Sequence, residues 1–195
     1  MASPVQSFDP AIPAPDAPCP FCAIAATYAP FPPSSPLPAD SRQLSPDRLS
    51  PPAFVVLSTP AALAFLDILP LSRGHLLLCP REHRPKLTDV TAAEAAELGA
   101  HLRVLSRALV RATGVADWNV VQNNGAAAAQ VVDHVHYHLI PRPEIRASGR
   151  FRESFTMFGR GVREELDDED AVGLAARLRE ELARVLDEEG GKGRL

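Results

Sequence analysis

Three of the six histidines in the chain, His134, His136 and His138, alternate with Val135 and Tyr137 in the stretch Asp133–Arg142. This alternation, with Leu139 and Ile140 behind it, predicts a strand that Pro141 ends. Residues two apart on a strand share a face at a separation of roughly 6.6 Å. The three imidazoles then project from one surface, where burial without partners is costly. Three readings follow. The row is a partly exposed strand that happens to carry histidines, or a metal site built from all three rings, imidazole being the commonest metal ligand. The third is phosphoryl-type chemistry, with one imidazole as nucleophile and its neighbours orienting it or donating to phosphate.

A second chemical group lies near the N-terminus. Cys19-Pro20-Phe21-Cys22 is half of a tetrahedral zinc site and needs two more ligands from elsewhere. An inert reduced pair is the bland alternative. A redox pair is a further one, although no thioredoxin-like strand precedes it. Cys79 stands in an apolar run and reads as a buried core thiol. An odd number of cysteines suits a reducing compartment and a metal site better than a disulfide framework. Of the remaining histidines, His75 opens an apolar run and, with Asp67, lines a pocket or serves a structural role. His101 sits beside an apolar stripe without a visible partner and reads as a surface residue.

These residues need a scaffold. Residues 1–18 carry five prolines and read as a disordered tail. A short helical turn follows the cysteine pair. The stretch 29–52 is again rich in proline and serine and reads as an inserted flexible loop without regular elements. Ala53–Ser58, Leu63–Asp67 and His75–Cys79 read as strands. A long helix is specified between Thr91 and Gly114: Thr91 and Glu94 form a capping box, Leu98, Leu102, Leu105 and Leu109 form one stripe, and Gly114 supplies the stop. Val115–Asn123 is a further strand, and Ala126–Ala129 is a small-residue loop that lets a phosphate approach the backbone. From residue 144 the pattern changes to mixed charges with Gly149, Gly159 and Gly161 and with Phe151, Phe155 and Phe158 exposed. A last helix at about 168–189 begins near Asp167 or Asp168, carries Leu174, Leu178, Leu182 and Val185 as its stripe, and ends at Gly190-Gly191. Its acidic faces read as solvated surface.

Composition narrows the classes. The 195 residues suffice for one domain with a proper core plus extensions, and 46% hydrophobic with 23% charged residues is an ordinary globular balance. A net charge of −4 argues against a general nucleic-acid binder. No stretch reaches the apolar length of a membrane span, and the first 18 residues lack the Lys and Arg of a targeting segment. A soluble intracellular protein is expected, in the cytoplasm with the nucleus as a second location.

The pattern His134-Val-His136-Tyr-His138-Leu-Ile resembles the signature of the histidine triad (HIT) superfamily of nucleotide hydrolases and transferases. Asn123-Asn124-Gly125 and Gln130 fall where the HINT branch has its Asn-x-Gly and Gln. Residues 64–70 (AFLDILP), Gly74-His75 and Pro80-Arg81-Glu82-His83 are similar to a further family block. The resemblance covers roughly residues 53–143 and the cysteine pair. It implies an α+β fold in which an antiparallel five-stranded sheet carries one long packed helix and a C-terminal helix. A HIT domain then spans 19–143, with the insert at about 29–52 and an extension over 144–195.

The resemblance also implies roles. Zinc-bearing relatives imply a structural Zn²⁺ held by Cys19, Cys22, His83 and His134, which removes His134 from the chemistry. His136 is then the nucleophile that attacks the α-phosphorus of a purine nucleotide such as an AMP derivative, and water releases the nucleoside monophosphate from the covalent intermediate. His138, Gln130 and Asn123 would donate to phosphate oxygens. Asp67 would accept the ribose hydroxyls, Phe65 and Ile68 would bound the base, and His75 would lie at the pocket. Homodimers are common among such chains. Val131 stands for a serine of the HINT branch, Ala128-Ala129 for a Gly-Gly pair, and Pro141-Arg142 is more like the dinucleoside-polyphosphate members. Phosphoramidates and dinucleoside polyphosphates both stay open as substrates, as do a nucleotidyltransferase and a nucleotide-binding regulator with little turnover.

Overall fold

The computed structural model of the chain describes residues 19–38, 40–143 and 165–192. The proline-rich start and the glycine- and phenylalanine-bearing segment after Pro143 lie outside the described residues. A five-stranded sheet is antiparallel throughout and has the order β1-β2-β3-β5-β4, with β1 at Val55–Ser58, β2 at Ala62–Leu66, β3 at Leu76–Pro80, β4 at Trp118–Gln122 and β5 at Tyr137–Pro141. Among the described residues it is accompanied by the α-helices α1 (Pro20–Thr27), α2 (Ala92–Thr113) and α3 (Asp168–Lys192). This is the α+β arrangement expected from the resemblance. No described helix is long and apolar enough to cross a membrane.

Helix α2 begins and ends as its sequence dictates. The Thr91 hydroxyl accepts from the Glu94 N–H (3.2 Å) while the Glu94 carboxylate accepts from the Thr91 N–H (2.8 Å), satisfying two of the amides that a helix start leaves over. Gly114 closes it at φ 72°, a left-handed conformation that side chains disfavour. Its buried face, Leu98, Leu105 and Leu109 with Val104 and Ala108, packs with Leu174, Leu178, Leu182 and Val185 of α3 on one side of the sheet. His101 is only half-buried rather than a surface residue, and its Nε2 lies 3.6 Å from Glu97. The acidic end of α3 is not simply solvated either. Glu188 and Glu189 accept from Arg103, Arg107 and Arg111 of α2 at 2.6–2.9 Å. These bonds pin the last turn, and the helix runs on through Gly190-Gly191 to Lys192.

The other sheet face carries the second core. Val55, Leu63, Phe65 and Leu77 meet Phe21 and Ile24 of α1 together with Tyr28, Phe31 and Leu44. The expected flexible insert is therefore a packed cover. Prolines remove helix and strand hydrogen bonds, but they leave the apolar side chains between them able to bury. Tyr28 is fully buried and donates its hydroxyl to the Ser45 carbonyl (2.9 Å), two 3₁₀ turns form at Arg42–Leu44 and Pro46–Arg48, and the Phe31 N–H donates to Ser58 at the edge of β1 (2.9 Å). Arg81 fastens this layer to the sheet. Its guanidinium donates to the carbonyls of Thr59 (2.9 Å) and Tyr28 (3.0 Å), to Ala25 and to the Ser58 hydroxyl. The start of α1, with its two cysteines, is thereby fixed over the sheet.

Candidate active site and metal cluster

The histidine row does not lie wholly on a strand. Only Tyr137–Pro141 joins the ladder, with His138 opposite Leu77 of β3 and Val121 of β4. Toward His134 the pairing stops: β4 ends at Gln122, opposite Tyr137, and the last residues of β3, Cys79 and Pro80, pair with β2 alone. The amide of Val135 donates instead to the Arg84 carbonyl (2.6 Å) and that of His134 to Val132 (2.8 Å). His134 and His136 thus sit in an irregular segment that continues β5, buried on the side of the sheet that α1 covers.

Each of the three rings is held in a different way. His134 approaches the Pro80 carbonyl through Nε2 at 3.0 Å. A carbonyl only accepts, so the proton is on Nε2 and the Nδ1 lone pair points the other way, toward Cys19 Sγ (3.4 Å) and Cys22 Sγ (3.7 Å). Cys22 Sγ is also 3.4 Å from His83 Nδ1. All four donor atoms lie within 4.8 Å of one another. Around a tetrahedral zinc with bonds of about 2.3 Å to sulfur and 2.0–2.1 Å to nitrogen, a sulfur–nitrogen edge is about 3.6 Å. The observed separations are of that size. The electrostatics agree: burial, then the bond and charge of Cys19, push the Cys22 thiol up to about 11, so neighbouring thiolates here call for a cation. Burial first, with His83 and His136 adding to it, depresses His134 to about 4 against the pull of the Pro80 carbonyl, keeping it in the neutral form that ligates metal. Cys19, Cys22, His83 and His134 make a candidate metal site that fits zinc.

His136 has the opposite tautomer. Its Nδ1 is 2.7 Å from the His134 carbonyl, so the proton is on Nδ1 and Nε2 carries the lone pair, the state in which an imidazole is nucleophilic. Phe21, between the two cysteines, meets the His136 ring edge to face at 5.2 Å and stands 5.7 Å from His134. It was not singled out as a site residue from the sequence; its place inside the Cys-x-x-Cys knuckle is the one local signal. Expected base-binding Phe65 is buried beneath Phe21, ring to ring at 5.1 Å. Ile68 is exposed, and its carbonyl accepts from Leu166 ahead of α3 (3.2 Å).

His138 is oriented by His75, a contact that the sequence did not foretell. Nε2 of His75 lies 2.9 Å from Nδ1 of His138, and the Leu71 N–H donates to the other nitrogen of His75 (3.1 Å). The Asp67 carboxylate is 3.5 Å from that same Nδ1. The two contacts compete, and the shorter one from an amide proton decides: Nδ1 accepts, Nε2–H donates to His138, and His138 keeps its proton on Nε2. Asp67 is 7% exposed and accepts from the Leu69 N–H (2.9 Å), so it secures this loop as well as standing at the pocket. His136 and His138 are 4.8 Å apart, ring to ring.

The loop before the triad folds on Gln130. Its side-chain oxygen accepts from the Gly125 N–H (2.6 Å), and its amide donates to the carbonyls of Pro85 (2.7 Å) and Val132 (3.0 Å). Both amide protons are thus engaged, and the expected phosphate donor acts here as the spine of the loop. Asn123 reaches the Ala129 carbonyl only at 3.5 Å. Gly125 and Ala129 have φ of 87° and 64°. The alanine at 129 bears the strain that glycine would avoid.

Comparison with known proteins accords with this geometry. The HIT domain family profile matches residues 48–145. The chain is 41% identical over 92 residues to adenosine 5'-monophosphoramidase hnt1 of Schizosaccharomyces pombe, covering 47% of this chain and 66%, just under two thirds, of that protein. It is 34% identical over 139 residues to adenosine 5'-monophosphoramidase HNT1 of Candida albicans, covering 69% and 86% respectively. Among solved structures, a zinc-bound histidine triad family protein from Mycobacterium smegmatis superposes with a TM-score of 0.59 at 29% identity, over 88% of this chain and 96% of that one.

Proposed function

We propose that this chain, which belongs to the HIT domain family, is a nucleotide hydrolase. It would cleave adenosine phosphoramidates or related nucleotidyl compounds through a nucleotidyl-His136 intermediate and release a nucleoside monophosphate. The observation that carries the reading is the tautomer of His136, with Nδ1–H spent on the His134 carbonyl. The names of the two phosphoramidase relatives support the substrate class.

Nε2 of His136 attacks the α-phosphorus, and the bond to the leaving group breaks. Water then attacks the same phosphorus, and the phosphorus–Nε2 bond breaks with its electron pair returning to the imidazole. The proton that water sheds balances the one that the departing amine takes up. The Nε2–H of His138, held by His75, donates to the phosphate oxygens as charge gathers on them. Asp67 serves the ribose hydroxyls, and Phe21 with Phe65 forms the apolar floor toward the base. Asn123 and the small side chains of the 125–130 loop would border the phosphate, with Gln130 and the loop's own amide bonds fixing that loop. Zinc at Cys19, Cys22, His83 and His134 would supply charge to hold both thiols as thiolates and a fixed anchor for the His134 segment. A reducing, cytoplasmic setting suits those thiols.

A homodimer completes the reading. β4 ends the sheet order and shows Trp118 (38% exposed) and Val120 (47%), an edge that invites pairing with a second copy. Light scattering at micromolar concentration tests it; a monomeric mass rejects the dimer.

The catalytic test is mass spectrometry after a brief reaction with an adenosine phosphoramidate. An adenylyl group is expected on the peptide that holds His136, with AMP as the product. Adenylyl transfer to added phosphate in place of water would make the chain a transferase. Tight AMP binding without turnover would make it a regulator.

A further inference from the structure

Cys19 is the N-cap of α1 and Cys22 lies in its first turn. At a helix start, the Cys-x-x-Cys spacing is the one at which redox pairs open and close a disulfide. Both thiols are half-buried and His83 is exposed, so the cluster lies open to small solutes, whereas Cys79 is sealed in the core. Two routes run from these thiols to His136. One is His134, whose ring nitrogen faces both sulfurs and whose own carbonyl accepts the Nδ1 proton of His136. The other is Phe21, which the two cysteines bracket and which stands edge to face on the His136 ring.

We propose that Cys19 and Cys22 form an oxidisable latch on the nucleophile: a peroxide-class oxidant joins them as a disulfide, the metal leaves, and the His136 ring loses its fixed seat. This rests on the hydrolase reading above. One thiolate attacks a peroxide oxygen, the O–O bond breaks, and a sulfenic acid and hydroxide form. The second thiolate attacks the sulfenyl sulfur, forms the S–S bond and expels a second hydroxide. Two protons from solvent turn both hydroxides into water, and the zinc ion departs hydrated. A dithiol reductant returns the two electrons, and zinc rebinds. With the thiolates joined, nothing holds the His134 ring by Nδ1, and its carbonyl moves with it. A displacement of about 1 Å at a reacting group costs on the order of 10²-fold in rate.

The experiment treats the full-length, zinc-loaded protein with hydrogen peroxide and follows four quantities. One equivalent of zinc should appear in a colorimetric chelator, and the Cys19–Cys22 peptide should lose two hydrogens by mass. Hydrolysis should fall on the order of 10²-fold and return with reductant plus zinc. The imidazole nitrogen shifts of His136 should pass from a single Nδ1–H tautomer to a mixture. Cys22→His, which keeps four ligands but cannot form the disulfide, should hold its zinc and its rate under peroxide. Should that variant fail to load metal, the four wild-type readouts decide alone. Disulfide formation and zinc release with unchanged rate and shifts overturn the latch. So does inactivation without a disulfide, or equal inactivation of Cys22→His. If the untreated protein turns over no adenylyl substrate, the hydrolase reading fails, while zinc, mass and nitrogen shifts still decide the latch.

Discussion

The imidazole of His136 gives its Nδ1 proton to the backbone of His134, 2.7 Å away, while the side chain of that same His134 faces the cysteine pair. One residue therefore meets the candidate metal cluster with its ring and the proposed nucleophile with its carbonyl. The equal spacing of the three histidines conceals three unequal tasks. Their backbone and side-chain partners separate them: Pro80 for His134, His134 for His136, His75 for His138.

His136→Ala should abolish hydrolysis of an adenylyl substrate, by roughly 10⁴-fold or more, since it removes the covalent route. His138→Ala should cost less, on the order of 10²–10³-fold, as for one donor to a developing oxyanion. Steady-state rates of both variants, with AMP binding and zinc content as controls, check the order. A dead His138→Ala beside an active His136→Ala would reverse the two roles.

His75 touches His138 through a 2.9 Å bond and is itself fixed by the Leu71 amide. His75→Ala should lower kcat on the order of 10–10²-fold and leave KM nearly unchanged, because it loosens a donor without removing it. His75→Gln offers an amide N–H in the same direction and should recover part of the loss. A rise in KM at constant kcat would place His75 in ground-state binding instead.

The scaffold was legible wherever local chemistry acts alone. Thr91, Glu94 and Gly114 marked both ends of α2, and Leu174 through Val185 marked the buried stripe of α3. Cys19 and Cys22 suggested half of a metal site, the resemblance added His83 and His134, and the fold brings these four donors together as a candidate cluster. Less legible was whatever depends on distant partners. Proline density in 29–52 hid the burial of Tyr28, Phe31 and Leu44, because packing against β1 and β2 is a tertiary fact. Alternation at 134–138 looked like strand throughout, yet ladder pairing stops at Tyr137, where β4 ends and the last residues of β3 pair with β2 alone. The His75–His138 bond joins residues 63 positions apart and left no local signal. Gln130 carried a residue type fit for phosphate, and the surrounding carbonyls engage it instead.

Cys19→Ser should lose the bound metal and lower the melting temperature, because binding free energy at such a site is folding free energy. Metal analysis beside thermal unfolding, for wild type with and without a chelator, checks this. Zinc-free wild type that melts at the same temperature as the loaded protein would leave the cluster without a structural role.

Glu94 links the start of α2 to the triad, and its charge makes that link depend on pH. Its carboxylate accepts from Arg84 at 3.0–3.1 Å and from the Thr91 N–H at 2.8 Å, and the Arg84 carbonyl in turn accepts the Val135 amide between His134 and His136. The Arg84 bond, with the two Thr91 bonds behind it, holds the Glu94 carboxyl down at about 2 against an ordinary 4.5. A carboxyl depressed on folding stabilises the native state above its unfolded pKa, and that stability is lost as pH falls through the folded value. Glu94→Gln should therefore be less stable than wild type near neutral pH, by about 1 kcal/mol as for other helix caps. The gap should narrow as pH falls below 4.5 toward about 2. Urea unfolding of both proteins across that range measures it. A gap that stays constant with pH would mean that the carboxylate charge adds nothing beyond the hydrogen bonds that glutamine also makes.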